Sequence, residues 1–207
     1  GSSGGSCINL SNATALLDAS NGAGLINVSI TGTTSSAITN AGVTTRLVFN
    51  NLTISGTVTS VSPFTVEGNI DVSGTGSFVA ATPSVVTING SNTKTITKAT
   101  AGTLSFYDLA LASTSGNNVT TASSFTVTQT MTVGANAALT ASDGTVTFNI
   151  STNTPVIITN SASITSLNFN NLAVSTTVAV TSVGSYSVNG NLTKSGAGTF
   201  IPAAAST

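Results

Sequence analysis

The chain has 207 residues, of which nine are charged, four Lys or Arg and five Asp or Glu, for a net charge of −1. An ordinary globular domain is about a quarter charged, and without a basic cluster the electrostatic footprint of a nucleic-acid binder is missing. Ser and Thr make up about a third of the chain, yet 40% is hydrophobic and rich in Val and Ile, which excludes disorder and points to a packed β protein with an uncharged polar skin.

Residues 1–6, GSSGGS, read as a native linker or a fusion scar, and residues 7–207 as one domain. The chain starts without Met or a signal peptide, so a mature product or an excised piece is expected. Cys7, the single cysteine, is expected as a small apolar residue of the first strand, with a disulfide to another chain as the alternative. Pairs of apolar residues flanking one other residue then recur. They begin with Ile8/Leu10, Val28/Ile30, Leu47/Phe49, Phe64/Val66 and Val86/Ile88. They continue with Leu104/Phe106, Phe125/Val127, Val146/Phe148, Leu167/Phe169 and Tyr186/Val188. Such alternation predicts strands with one buried face. Clusters such as SGTG, NGSN, SGNN and SDG between them predict turns.

The pairs stand 17 to 22 residues apart and fall into three rotating families. "VSITGT" (28–33) returns as "VTINGS" (86–91) and "VTFNIS" (146–151); "LVFNNLTISG" (47–56) returns at 104–113 and 167–176. "FTVEGNIDVSGTGSF" (64–78) returns at 125–139 and 186–200, both times after 61 residues. A fixed period of this size marks a solenoid or an array. The expectation is an all-β, right-handed parallel β-solenoid of about ten coils of ~20 residues, near 48 Å long at about 4.8 Å per coil. Three coils would form each superrepeat, near 28–85, 86–145 and 146–207. An antiparallel sandwich is the rival, since closely spaced turns mark it too. In the solenoid, Phe64, Phe125 and Tyr186 should occupy equivalent corners. Ile70, Met131 and Leu192 should share one inward position, and Phe78, Leu139 and Phe200 another.

Segments such as "VTINGSNTKTIT", "LVFNNLTISG" and "VNGNLTKSGAGTF" resemble the β-strand repeats of large bacterial surface proteins and filamentous-haemagglutinin-like adhesins. The resemblance is clear over 47–207, fainter over 28–46 and weakest over 7–27. It implies a right-handed parallel β-helix with a structural or adhesive role, extracellular or at the cell surface. It carries over no functional residues.

The chemistry the sequence offers is sparse. The chain has no His, which removes imidazole bases, His-containing triads and His metal sites. One Cys excludes a Cys-based zinc site within a chain. "GTGSF" and "GAGTF" lack the Lys and the context of a phosphate loop. No catalytic residue, metal or cofactor is therefore expected. Glu67 and Asp71, four apart, would lie on one outward strand side, where a carboxylate pair could act on a glycoside. A solvated strand face is the simpler reading. The Thr-x-Thr runs Thr57/Thr59, Thr95/Thr97, Thr126/Thr128, Thr130/Thr132 and Thr145/Thr147 resemble pieces of an ice-binding face. At a spacing of 61, however, Thr126 answers Thr65 and Ser187, and the intervening openings break the array. Sequons at Asn12, Asn27, Asn51, Asn89, Asn118, Asn149 and Asn191 match chance for this composition.

The expected function is a non-enzymatic extracellular building block: a fibre subunit or adhesin stalk segment that self-associates head to tail, with surface glycans as further partners. The alternatives are a carbohydrate-binding or carbohydrate-cleaving β-helix and an ice-binding solenoid. No nucleic acid and no membrane span are expected, because Ser, Thr and Asn interrupt every apolar segment before 18 residues. Solenoid ends are normally covered by polar caps. Neither "GSSGGSCINL" nor "IPAAAST" reads as one, and Lys194 takes the inward place of Val72 and Val133.

Overall fold

The computed structural model describes residues 6–10, 17–18, 27–31, 36–40, 47–112, 116–152, 155–163 and 166–202. The strands wind in chain order around three parallel sheets. The first three turns are β1 (Ser6–Leu10), β2 (Leu17–Asp18), β3 (Asn27–Ile30); β4 (Ser36–Asn40), β5 (Leu47–Phe49), β6 (Asn51–Ile54); and β7 (Thr57–Ser60), β8 (Phe64–Val66), β9 (Ile70–Val72). The middle turns are β10 (Ser77–Ala80), β11 (Val85–Ile88), β12 (Lys94–Lys98); β13 (Thr103–Phe106), β14 (Asp108–Leu111), β15 (Asn117–Thr121); and β16 (Phe125–Val127), β17 (Met131–Val133), β18 (Ala137–Ala141). The last are β19 (Thr145–Ile150), β20 (Val156–Asn160), β21 (Leu167–Phe169); β22 (Asn171–Thr176), β23 (Val180–Val183), β24 (Ser187–Val188); and then β25 (Leu192–Ser195) and β26 (Phe200–Ile201).

Every third strand joins the same sheet. Sheet A runs β1, β4 and onward to β25, sheet B runs β2, β5 and onward to β26, and sheet C runs β3, β6 and onward to β24. All pairings are parallel, which rules out the sandwich. The protein is a parallel β-solenoid, and its described residues make eight complete turns plus two strands, about seven of those turns lying from β5 onward. At about 4.8 Å per turn the tube is roughly 42 Å long, shorter than the ten coils expected.

The coil size expected from the sequence is corrected. Opposed residues on successive turns are separated by as few as 17 positions (Val48 opposite Thr65) and as many as 31 (Ser6 opposite Ala37). The V-type unit makes only two strands, such as β11 and β12, whereas the L-type and F-type units make three each, β13 to β15 and β16 to β18. The 61-residue superrepeat is therefore eight strands, or two and two-thirds turns. Each copy lands one face further around the tube. Phe64 begins β8 on sheet B, Phe125 begins β16 on sheet A, and Tyr186 immediately precedes β24 on sheet C. The expected equivalent corners are overturned. Ile70, Met131 and Leu192 likewise occupy inward positions on sheets C, B and A instead of one column.

What survives a 61-residue shift is the side of the strand. Side chains alternate with a period of two, so inward residues remain inward whichever face they join. The lumen is filled by that set, with Val66, Val86, Leu139, Leu167 and Val174 all buried. Phe49, Phe64, Phe78, Phe106 and Phe125 climb through it as a chain of rings with centroids 5.4 to 6.0 Å apart. Each such tilted or edge-on pair contributes roughly 0.5–1.5 kcal/mol beyond its burial.

Candidate functional surfaces

The recurring polar residues of the motifs join one coil to the next. In the L-type motif an Asn or Asp begins the second strand, and its carboxamide or carboxylate accepts from the turn one coil later. Asn69 N donates to Asn51 Oδ1 at 2.6 Å, Thr130 N to Asp108 Oδ1 at 3.0 Å, and Asn191 N to Asn171 Oδ1 at 2.9 Å. These three clamps stand on sheets C, B and A, as the eight-strand period requires. A second set, Ser60, Thr121 and Ser182, is buried at strand ends 61 residues apart. Ser60 Oγ donates to Ser62 O and Thr121 Oγ1 to Ser123 O, closing tight corners. Neither set was singled out from the sequence, although the 61-residue spacing and the Asn/Asp of the L-type motif both carried the signal.

Asp71, like Asp108, serves the same purpose, whereas Asp143 closes its own turn. Asp71 accepts from Thr97 Oγ1 at 2.6 Å on sheet C, and Asp143 accepts from Gly144 N at 2.6 Å. Glu67 does not extend a strand beside Asp71. It lies in the turn after β8, where its N–H donates to Phe49 O at 2.8 Å and its charge faces Lys94. The structure thus gives the two carboxylates separate neighbours. Lys94 sits at an inward position of β12, 2% exposed, and its Nζ donates to Asn92 O at 2.6 Å. Desolvation pushes its pKa below the ordinary value, and the Glu67 carboxylate opposes that shift. Among the described residues no three His, Cys, Asp or Glu gather to hold a metal ion. No helix there is long and apolar enough to cross a membrane. Cys7 lies in β1, as expected, and its side chain is outside the described residues.

Sheet A presents a hydroxyl-rich outer face. One column runs through Thr57, Ser77 and Thr103 and is continued by Ser124 and Thr145, where Ser124 Oγ accepts from Thr145 N at 2.9 Å. Two residues along each strand, a second column runs through Thr59, Val79, Ser105, Thr126 and Thr147. A shallow depression of about 210 Å³ follows both columns past Thr103, Ser124, Thr126 and Thr147. The Thr-x-Thr runs therefore divide. Thr57/Thr59 and Thr145/Thr147 belong to this face, Thr95/Thr97 to sheet C, and Thr132 to sheet B. Thr128 turns back to donate to Phe106 O at 3.3 Å. The array looked broken at a spacing of 61 because neighbours on one face come from different motif families.

The last coil, β24 to β26, is open. Leu192 pairs with the buried Leu172 and so takes an inward position, yet it is 52% exposed because no described strand lies beyond it. Phe200 pairs with the buried Val180 and is only partly covered. Lys194 pairs with the buried Val174, which confirms its inward register. Its Nζ donates to Gly196 O at 2.5 Å. No family model, curated protein or solved structure matches the chain.

Proposed function

We propose that this chain is a non-enzymatic structural segment that lengthens a tube, either as a subunit of a fibre or as part of an adhesin stalk. The observation that carries the reading is the open coil. Strand edges are templates for further pairing, and here they coincide with lumen side chains, Leu192 and Phe200, that only another coil would cover. The near absence of charge suits close packing, since the repulsion that keeps proteins apart is weak. The acids Asp71 and Asp108 bind one coil to the next, which favours a structural role over hydrolysis of a glycoside. An extracellular or cell-surface location is supported by the resemblance to bacterial surface β-strand repeats. Light scattering and negative-stain microscopy of the 207-residue chain test the proposal: filaments that grow with concentration are expected, and a strict monomer at high concentration would refute it.

A second reading is favoured by the paired hydroxyl columns on sheet A. Their grid of about 4.8 Å by about 6.7 Å, interrupted by Val79 in the second column, offers rows of hydroxyls to the water of an ice surface. Retention of the protein in slowly grown ice, lost in Thr126→Lys but kept in the sheet B variant Thr132→Lys, is the expected outcome. Exclusion of the wild-type protein from ice removes this reading.

A further inference from the structure

The V-type motif ends its second strand on an equivalent position in each repeat. Asn40 ends β4 on sheet A, Lys98 ends β12 on sheet C and Asn160 ends β20 on sheet B, eight strands apart each time. The two Asn residues are buried, and each carboxamide reaches into the corner one coil later. Asn40 Nδ2 donates to Pro63 O at 2.9 Å, and Asn160 Nδ2 donates to Ser185 O at 2.5 Å. These carbonyls stand immediately before Phe64 and Tyr186, so the matching carbonyl of the middle repeat is that of Ser124, immediately before Phe125. Lys98 instead folds back on its own turn, where its Nζ donates to Ala99 O at 2.9 Å and to Gly102 O at 3.1 Å.

The depression of about 210 Å³ on sheet A lies at this place, with both Lys98 and Ser124 in its lining. It spans three coils: Lys98 and Thr103 belong to the first, Ser124 and Thr126 to the second, and Thr147 to the third. Leu104 and Phe125 supply an apolar lining between the polar groups. The four hydroxyl residues are exposed or half-buried. Ser124 Oγ accepts from Thr145 N, which leaves its O–H to donate outward. An ammonium has three N–H donors, and among the described residues the partners of Lys98 are two neutral carbonyls. Lys94, by contrast, faces Glu67. The middle repeat thus exchanges a buried bridge for a cation beside a hydroxyl-lined hollow.

We propose that this depression binds one acidic sugar residue, a hexuronate, with its carboxylate on Lys98 and its hydroxyls on Thr103, Ser124, Thr126 and Thr147. The carboxylate answers the charge of Lys98 through a charge-assisted hydrogen bond, the stronger kind. Ser and Thr hydroxyls both donate and accept, which suits sugar hydroxyls that do the same. The C–H groups of the ring would meet Leu104 and Phe125. Pockets that enclose a drug-sized ligand measure roughly 300–1,000 Å³. A hollow of about 210 Å³ takes a single sugar residue and leaves the rest of a glycan in solvent. The site goes beyond the structural reading and holds whether or not copies of the tube stack.

Titration of the 207-residue chain with glucuronate and galacturonate, followed by amide chemical shifts in NMR, tests the site. Saturable millimolar binding of at least one uronate is expected, with shifts centred on Gly102, Thr103, Ser124 and Thr126. Glucose and galactose, which lack the carboxylate, should bind about tenfold more weakly or not at all. Lys98→Gln should weaken uronate binding by about tenfold. Lys98→Asn, which installs the residue of the other two repeats, should remove it. Lys194→Gln, outside the depression, should bind like wild type. Circular dichroism checks that each variant is folded. The proposal is overturned if neither uronate binds saturably, if neutral sugars bind as tightly, or if folded Lys98→Gln or Lys98→Asn protein keeps wild-type affinity. Sulfate that binds as tightly as the uronates would overturn the assignment to a sugar.

Discussion

Among the described residues, Lys94 is the charged side chain that the tube buries. Its ammonium donates to a carbonyl and faces Glu67, yet desolvation still holds its pKa below the ordinary 10.5. The unfolded chain therefore binds the proton more tightly than the folded one. Below the folded pKa the full penalty is present; stability then rises with pH until the unfolded pKa is passed. Lys94→Met keeps the stem and removes the charge. It should stabilise the protein at neutral pH by about 1 kcal/mol, since replacing buried charge with apolar packing is often favourable, raising Tm by about 2–4 °C for a chain of this size. The gain should shrink as pH climbs through the folded pKa toward 10.5. A variant less stable than wild type at pH 7 by thermal melting would mean that the hydrogen bond to Asn92 and the Glu67 attraction outweigh desolvation.

At the scale of elements, the turn between β8 and β9 shows how closely coils approach. A Cβ on Gly68 would stand 2.5 Å from Asn50 O and would also strike Asn51 Oδ1, the acceptor of the clamp beneath it. Gly68→Ala must therefore lift the turn and strain the clamp, at a cost of roughly 1–3 kcal/mol, read as a lower midpoint in urea with an unchanged slope. An unchanged midpoint would mean that the turn is free to move away. In the next repeat Gln129 takes this place over Tyr107, with its N–H 3.0 Å from Tyr107 O, against 2.7 Å from Gly190 to Asn170 O. Such turns also explain what could be read from the sequence. Strand composition and the inward set were legible because a period of two survives in each motif. The inward place of Lys194 followed from aligning it with Val72 and Val133. The number of strands per unit was not legible. β5 and β6 are separated by Asn50 alone, while β11 and β12 are separated by residues 89–93. Asn- and Gly-rich links serve for both, so similar unit lengths hide two strands or three. That ambiguity displaced the coil count, the Phe64–Phe125–Tyr186 corner and the continuity of the sheet A hydroxyls together.

For the whole molecule, stability should distribute along the tube axis and not among the sheets. Each coil is held by the coil on either side through parallel ladders on all three faces, so the cooperative unit is a turn and its neighbours. The centre has the most to lose: Val66, Phe106, Val127 and Phe148 are fully enclosed, whereas every residue of β25 is exposed. Local opening is least costly where few apolar contacts and many exposed hydrogen bonds coincide. Native-state hydrogen exchange should therefore show protection that rises from β24–β26 toward the turns containing β13 to β18, at similar levels on sheets A, B and C within each turn. In assembled material, protection of the amides in β24 to β26 should rise toward that of the interior while the central turns stay unchanged, because stacking adds neighbours only at the end. Exchange that follows one sheet along its length, with the other two still protected, would contradict a tube built turn upon turn.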